Sequence, residues 1–213
     1  MAIKPIALDG APVTGRDRAK ADRRAVLLRE GAKLFAERGF TGVSIEELGA
    51  AAGVSGPAVY RHFATKQALL GAILVEVSRH LLDGGTEVLV GDPDPRAQLE
   101  ALIRFHVDFA MASADVIRVQ DRDLASLSEA DRHAVRRLQR EYVEVWVEVL
   151  SRRYPERTAL ELRVRAHSMF GLINSTPHSV RDLRPVPPDA TVSRILETMA
   201  LAALDAEPSR FES

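Results

Sequence analysis

The 213-residue chain has no cysteine, which excludes disulfides, thiolate metal sites and a cysteine nucleophile, and leaves the redox compartment open. Long apolar runs are also missing. Charged or polar residues interrupt each one well before about 18 residues, so no membrane span is expected. The opening segment MAIKPIALDGAPVTGRDRAK lacks a continuous apolar core of signal-peptide length, and a cytoplasmic location is the expectation. There is no alternating strand pattern, no repeat of fixed period, and no low-complexity tract beyond the short Arg184-Pro-Val-Pro-Pro188 loop.

Catalytic signatures are absent as well. Gly53-Val54-Ser55-Gly56 is not a G-x-S-x-G elbow. The six histidines are scattered, with no H-E-x-x-H pair and no cysteine to complete a zinc site. Asp92 and Asp94 lack the remaining ligands of a calcium hand, and phosphate-loop and dinucleotide fingerprints are missing. The chain is therefore not expected to be an enzyme, or to carry a cofactor or a metal.

Apolar residues make up 46% of the chain, enough for a sizeable core, and the net charge of -1 conceals an asymmetry. Residues 1–80 carry a net +4 and the rest -5. The basic part contains Ser44 to Lys66, SIEELGAAAGVSGPAVYRHFATK. Ser44 and Glu47 fit the S-x-x-E capping box, in which each side chain satisfies an orphan amide of the other residue. Ile45, Leu48 and Ala52 recur at helical spacing, and Gly53 suits the left-handed closure of that helix. Ser55 then suits the N-cap of a second helix with Pro57 in its first turn, where a missing amide hydrogen removes no intrahelical bond. Val59 and Phe63, four apart, bury one face of it. Two short helices around a tight turn form a helix-turn-helix, a DNA-reading device.

On these residues the chain resembles the TetR-like one-component regulators, whose N-terminal module reads S/T-x-x-x-[IVL]-A-x-x-A-G-V-S and then x-x-x-[LIV]-Y-x-H-F-x-x-K-x-x-L. Ser44 to Ser55, then Val59, Tyr60, His62, Phe63, Lys66 and Leu69 carry the match, which covers roughly residues 20 to 82. Gly49 stands where alanine is usual, and Gly56-Pro57-Ala58 replaces the more frequent polar-Gly-Thr. Those departures leave the operator sequence open.

The resemblance implies an all-α fold, with an N-terminal three-helix DNA-binding domain followed by a larger helical ligand-binding and dimerisation domain. We expect a mobile arm over 1–16, the DNA-binding domain over 17–66 and the effector domain over 67–213. Helical periodicity agrees along the chain. One helix runs from about Asp17 to Arg38, where Gly39 ends it, and another starts at Lys66 under a Thr65 cap, with Gly84-Gly85 expected to end or loosen it. Asp115 is expected to cap a short helix, Ser128 to open a long one, and Thr158 with Glu161 to open the next, bent or ended by Pro177. The last spans about Asp189 to Asp205.

In the family the recognition helix enters the major groove by its N-terminal end. That makes Ser55, Gly56, Pro57 and Ala58 the candidates for base edges, with Arg61 reaching a guanine or a phosphate. Tyr60 and His62 match family positions that hold phosphates, Lys66 sits at a helix start aimed at the backbone, and Ser44 offers its hydroxyl or the helix-start amides. The alternatives are that Tyr60 or His62 closes the small core and that Arg61 is a solvated charge. Arg16, Arg18 and Lys20 are candidates for a minor-groove arm or for a plain solvated tail.

The resemblance further implies an effector chamber and a homodimer whose two recognition helices are respaced when the chamber fills. Candidate lining residues are Phe105, Phe109, Met111, Tyr142, Trp146, Met169 and Phe170, with His106, Arg118, Gln120, His167 and Asn174 as polar anchors, against the alternative of plain core packing. Arg118 and Arg122 offer a carboxylate or phosphate site, or pair with neighbouring acids such as Asp121 and Asp123. The mixture favours an apolar or acyl-bearing effector. For the dimer we expect Ala166, Met169, Phe170 and Ile173 to meet Leu196, Met199, Ala200 and Ala203 in a four-helix contact. The reading is a ligand-released repressor on a palindromic DNA operator. The rival reading is a ligand-independent structural DNA-associated protein.

Overall fold

The computed structural model describes residues 15–90, 94–181 and 183–206. All its regular elements are helices: α1 (Gly15–Arg38), α2 (Ile45–Ala51), α3 (Gly56–Val59), α4 (Lys66–Val90), α5 (Pro95–Ala112), α6 (Ala114–Asp123), a 3-10 turn (Leu124–Ser126), α7 (Glu129–Arg153), α8 (Ala159–Ser179) and α9 (Asp189–Asp205). The arm read over 1–16 lies outside the described residues except for Gly15 and Arg16, which already belong to α1. Arg18 and Lys20 are therefore helical.

Local chemistry explains most of the boundaries. Gly39 ends α1 at φ 80, its N–H donating to Phe35 O at 2.8 Å. Ser44 and Glu47 form both halves of the capping box. Thr65 Oγ1 accepts from Ala68 N at 3.0 Å, Asp94 from Ala97 N at 2.9 Å, Ser128 Oγ from Asp131 N at 3.1 Å, and Thr158 Oγ1 from Glu161 N at 3.2 Å. Each acceptor satisfies one of the orphan donors of a helix start.

Three expectations are corrected and one, the Ser55 cap, holds in part. Gly84-Gly85 does not end α4, which continues to Val90, because the pair sits where neighbouring rings press on the helix. Asp115 lies in the first turn of α6, and the cap position belongs to Ser113, without a side-chain bond. Ser55 has extended N-cap backbone but its hydroxyl makes no cap bond. Pro177 is buried inside α8, which runs on to Ser179. It lies in the last turn, where few backbone bonds remain to be lost.

The helices enclose two apolar cores. One gathers Leu27, Phe35, Leu48, Val59, Phe63, Leu69 and Leu74, and is completed by Val119, Leu127 and Val135 from α6 to α7. The other gathers Leu99, Leu102, Ile103, Trp146, Leu150, Leu162, Ile173 and Leu196. Burying each such side chain stabilises by about 1.5–3 kcal/mol. The first core crosses the expected boundary at residue 66, so the head is packed onto α4 and α6 rather than tethered to them.

Helices α4 and α7 run parallel and in close contact. A Cβ at Gly71 would lie 2.3 Å from Asp131 Oδ2, and one at Gly85 would lie 2.7 Å from the Tyr142 ring. Both glycines are small because the partner helix occupies that space.

Candidate functional site

The α2–α3 turn is tight for identifiable reasons. Gly53 takes φ 68, and Val54 N donates to Gly49 O at 2.8 Å. A Cβ at Gly49 would stand 2.8 Å from Val54 O and 3.0 Å from Gly56 N. This turn therefore requires the glycine that replaces the family's usual alanine. Helix α3 is a single turn, continued to Phe63 by bonds from Arg61, His62 and Phe63 back to Ala58 and Val59.

Of the residues expected at base edges, Ser55 and Pro57 are exposed and Ala58 is half-buried. Gly56 is buried, and a Cβ there would lie 3.5 Å from Glu46 Cγ, so it is withdrawn from the surface it was expected to present. Tyr60 is 53% exposed and Arg61 is exposed, which places both outside the small core. Ser44 is exposed, with its hydroxyl donating to Glu47 Oε2 at 2.8 Å.

Lys66 is turned inward. Its ammonium donates to Phe40 O at 2.8 Å and Val43 O at 2.7 Å and sits 4.6 Å from the Phe40 ring centre. Instead of aiming at a DNA backbone, it fastens the α1–α2 loop to the start of α4.

Arg61 and His62 share an open groove with Asp17, Ala19, Lys20 and Arg23 of α1. His62 is half-buried, and its Nδ1 has no hydrogen-bond partner. Burial holds the imidazole below its usual pKa, and the charges of Lys20, Arg23, Arg24 and Arg61 push it the same way. Arg24 bonds Glu76 at 3.1 Å and lies 5.3 Å from the Phe63 ring centre. Arg23 was missed by the motif. The visible signal was its spacing from Lys20, i to i+3, on one helix face.

The head is pinned to α6 at one further point, and the start of α4 to the 3-10 turn at another. Arg122 on α6 donates to the carbonyls of Phe35 and, at 3.3 Å, Ala36, while pairing with the buried Asp123 at 2.9 Å. It takes the neighbouring-acid alternative and is not free to receive an anionic ligand. Gln67 Nε2 donates to Ser126 O at 2.8 Å.

In the second core, His106 is buried with Nδ1 3.1 Å from Tyr142 Oη and Nε2 3.1 Å from Asn174 Oδ1. A carbonyl oxygen only accepts, so with this amide orientation Nε2 carries the proton and Tyr142 donates to Nδ1. Burial lowers the His106 pKa to about 4, against a raising contribution from Asn174, and burial raises that of Tyr142. Phe170 lies 4.9 Å from His106, 5.6 Å from Tyr142 and 5.2 Å from Trp146 between ring centres, and Phe109 lies 6.0 Å from His106.

Five of the expected residues, His106, Phe109, Tyr142, Trp146 and Phe170, thus converge, with Asn174 beside them. Phe105 packs on the outer side, against Gly84 and 5.8 Å from His80, a neighbour the sequence did not flag. Met169 is buried, Met111 and Gln120 are half-buried, and Arg118 and His167 are exposed. The last two are not brought to the His106 cluster, although His167 touches the outer edge of Phe170.

Two family models match this chain, "Bacterial regulatory proteins, tetR family" over residues 27–73 and "Tetracyclin repressor-like, C-terminal domain" over residues 92–178. The chain belongs to the TetR family. It is a family of transcriptional regulators and not of enzymes. The HTH-type transcriptional repressor KstR2 of Rhodococcus jostii is 30% identical over 132 residues, which span 62% of this chain and 65% of that relative, just under two thirds. A TetR-family regulator from Bordetella parapertussis superposes with a TM-score of 0.72 at 24% identity, covering 89% of this chain and 98% of that one. AibR, solved with isovaleryl coenzyme A and operator DNA, gives 0.69 at 21% identity, covering 83% and 97%.

For a TetR-family chain the outer surface of α8 and α9 is of direct interest. Ala166, Ile173, Leu196 and Ala200, expected at a dimer contact, are buried inside their own subunit, at 1% exposure or less, and Met169 is also buried. The neighbouring column of each helix is open instead: Leu160 and Val164 on α8, Ile195, Met199 and Ala203 on α9. Of the residues expected at the dimer contact, Met199 and Ala203 lie on this open column, whereas Ala166, Ile173, Leu196 and Ala200 face the core of their own chain. Small residues such as Ala166 and Ala200 serve close packing of α5, α8 and α9 within one chain.

Proposed function

We propose that this chain is a ligand-responsive transcriptional repressor that binds a palindromic operator as a homodimer and is released by a small acyl-type effector. The observation that carries the reading is the connection between its two ends. An exposed α3 with a basic groove lies at one end and an aromatic core with a buried polar file at the other. Helix α4 joins them, fixing the head through Lys66 and abutting Phe105 and Tyr142 through Gly84 and Gly85. A molecule entering that core displaces rings that rest on α4, and α4 carries the head. The resulting change need only disfavour the DNA-matching conformation by about 1–3 kcal/mol to weaken operator binding roughly 5–150-fold.

The acyl class is supported by the apolar lining and by the coenzyme A thioester held by the structural neighbour AibR. The homodimer is supported by the apolar pairs Leu160 and Val164 on α8 and Ile195 and Met199 on α9, each residue 49% exposed or more, because large exposed apolar side chains at i, i+4 on two helices that pack together mark an interaction surface. A ligand-independent architectural role fits less well, since it gives no reason for a polar file buried among aromatic rings. The test is release of the protein from an inverted-repeat duplex by isovaleryl and octanoyl coenzyme A. Failure of both, with palmitoyl coenzyme A also inert, removes the acyl reading.

A further inference from the structure

Trp146 is the only tryptophan in the chain and is fully buried, yet its Nε1 has no hydrogen-bond partner. Tyr142 Oη is near enough for the indole N–H to act on the phenol, but the geometry falls short of a hydrogen bond. A buried N–H without an acceptor is costly, and native cores rarely keep one. Its neighbours are otherwise satisfied: Asn174 accepts from His106, and His106 accepts from Tyr142. Trp146 is thus the open donor at the inner end of a completed polar file, enclosed by His106, Tyr142 and Phe170 at ring-centre distances of 5.2–6.4 Å.

We infer that Trp146 Nε1–H is a hydrogen-bond donor to the effector, and that the buried end of the effector is an apolar skeleton bearing a neutral oxygen acceptor, a ketone or ester carbonyl. The inference rests on the reading of this core as the effector site. A plain alkyl end leaves the indole as unpaired as it is without ligand, so it gains nothing at this position. An anionic end is disfavoured: no cationic side chain bonds the file among the described residues, burial keeps His106 neutral at ordinary pH, and Arg118 is exposed and acts on His178 instead. A carbonyl oxygen brings an acceptor without a charge.

The test uses octanoyl coenzyme A and 7-oxo-octanoyl coenzyme A, which differ by one ketone near the buried end, together with 2-octanone, which lacks the thioester headgroup. With a single tryptophan, the 15N-labelled protein gives one indole N–H resonance. The expected result is a downfield shift of that resonance with both ketones and not with octanoyl coenzyme A, and operator release by the oxo thioester at about 3- to 10-fold lower concentration than by octanoyl, as one neutral hydrogen bond allows. Trp146→Phe should abolish the difference between the thioesters, read as the ratio of the concentrations at which each releases the operator. Tyr142→Phe, which keeps the indole, should preserve it. If neither thioester releases the operator but 2-octanone shifts the indole, the acyl-thioester reading fails and the donor assignment stands. An unmoved indole resonance with both ketones, or release of the operator by both thioesters at the same concentration, overturns the assignment.

Discussion

Arg122 on α6 holds the main-chain carbonyl of Phe35, in the last turn of α1, 87 residues away in sequence. The guanidinium meets the negative end of the α1 dipole and at the same time neutralises Asp123, which is only 7% exposed. One side chain therefore ties the DNA-binding head to α6, which contributes Ile117 to the C-terminal core.

Replacing Arg122 by Gln should destabilise the chain by about 1–3 kcal/mol, because it removes a charged donor from two carbonyls and leaves Asp123 without its cation. The same variant should bind operator but respond less to effector, since the head is no longer held to α6. Urea denaturation and an effector titration of the operator complex check the two halves separately.

Lys66 separates a structural cation from a phosphate contact. Lys66→Met should lower affinity for all duplexes by loosening the head, and should leave the slope of log affinity against log salt unchanged. A lysine that neutralises a phosphate would reduce that slope by about 1 on removal. Lys20→Ala and Arg23→Ala in the open groove should reduce it.

These contrasts mark what the sequence made legible. Ser44 and Glu47 are three residues apart, and the cap they form depends on nothing else in the fold, so their pattern was readable. The carbonyls that capture Lys66 lie 23 and 26 residues away, and no local pattern encodes them. Gly84-Gly85 read as a breaker because glycine lowers helix propensity. The rings of Phe105 and Tyr142, brought from α5 and α7, give the pair its purpose and keep α4 helical. The convergence of His106, Tyr142, Trp146 and Phe170 was legible as apolar spacing, whereas the His106 tautomer and the orphan indole required coordinates.

Gly49→Ala should cost about 1–3 kcal/mol, because its Cβ would meet backbone rather than a movable side chain and the turn must open to admit it. The loss should appear as a lower denaturation midpoint and weaker operator binding together. Gly53→Ala, at positive φ but with free space around the position, should cost only the backbone penalty, about 1 kcal/mol.

His106 makes stability depend on pH with a definite sign. Its folded pKa of about 4 lies below the ordinary 6.5, so between those values the unfolded chain binds more protons. The stabilisation is complete above pH 6.5 and is lost as pH falls toward 4, by up to about 3 kcal/mol. Urea midpoints across this window should fall more steeply for the wild type than for His106→Gln, which keeps a hydrogen-bonding group but does not titrate.

The two sides of α9 should respond differently to charge. Met199→Glu on the open column should give a folded monomer by sedimentation and circular dichroism. Ala200→Asp, in a fully buried position, should unfold the C-terminal core, because it places an unpaired carboxylate there at a cost of about 3 kcal/mol or more.

The most direct measurement is fluorescence anisotropy of an inverted-repeat duplex taken from upstream of the chain's own or an adjacent gene, with a scrambled duplex of equal length as reference, at one moderate salt concentration and with octanoyl coenzyme A titrated into the complex. The account predicts selective binding of the inverted repeat, two protomers per duplex, and a roughly 5–150-fold loss of affinity on saturation with the thioester. Equal affinity for the two duplexes, or selective binding that no acyl thioester weakens, would contradict it.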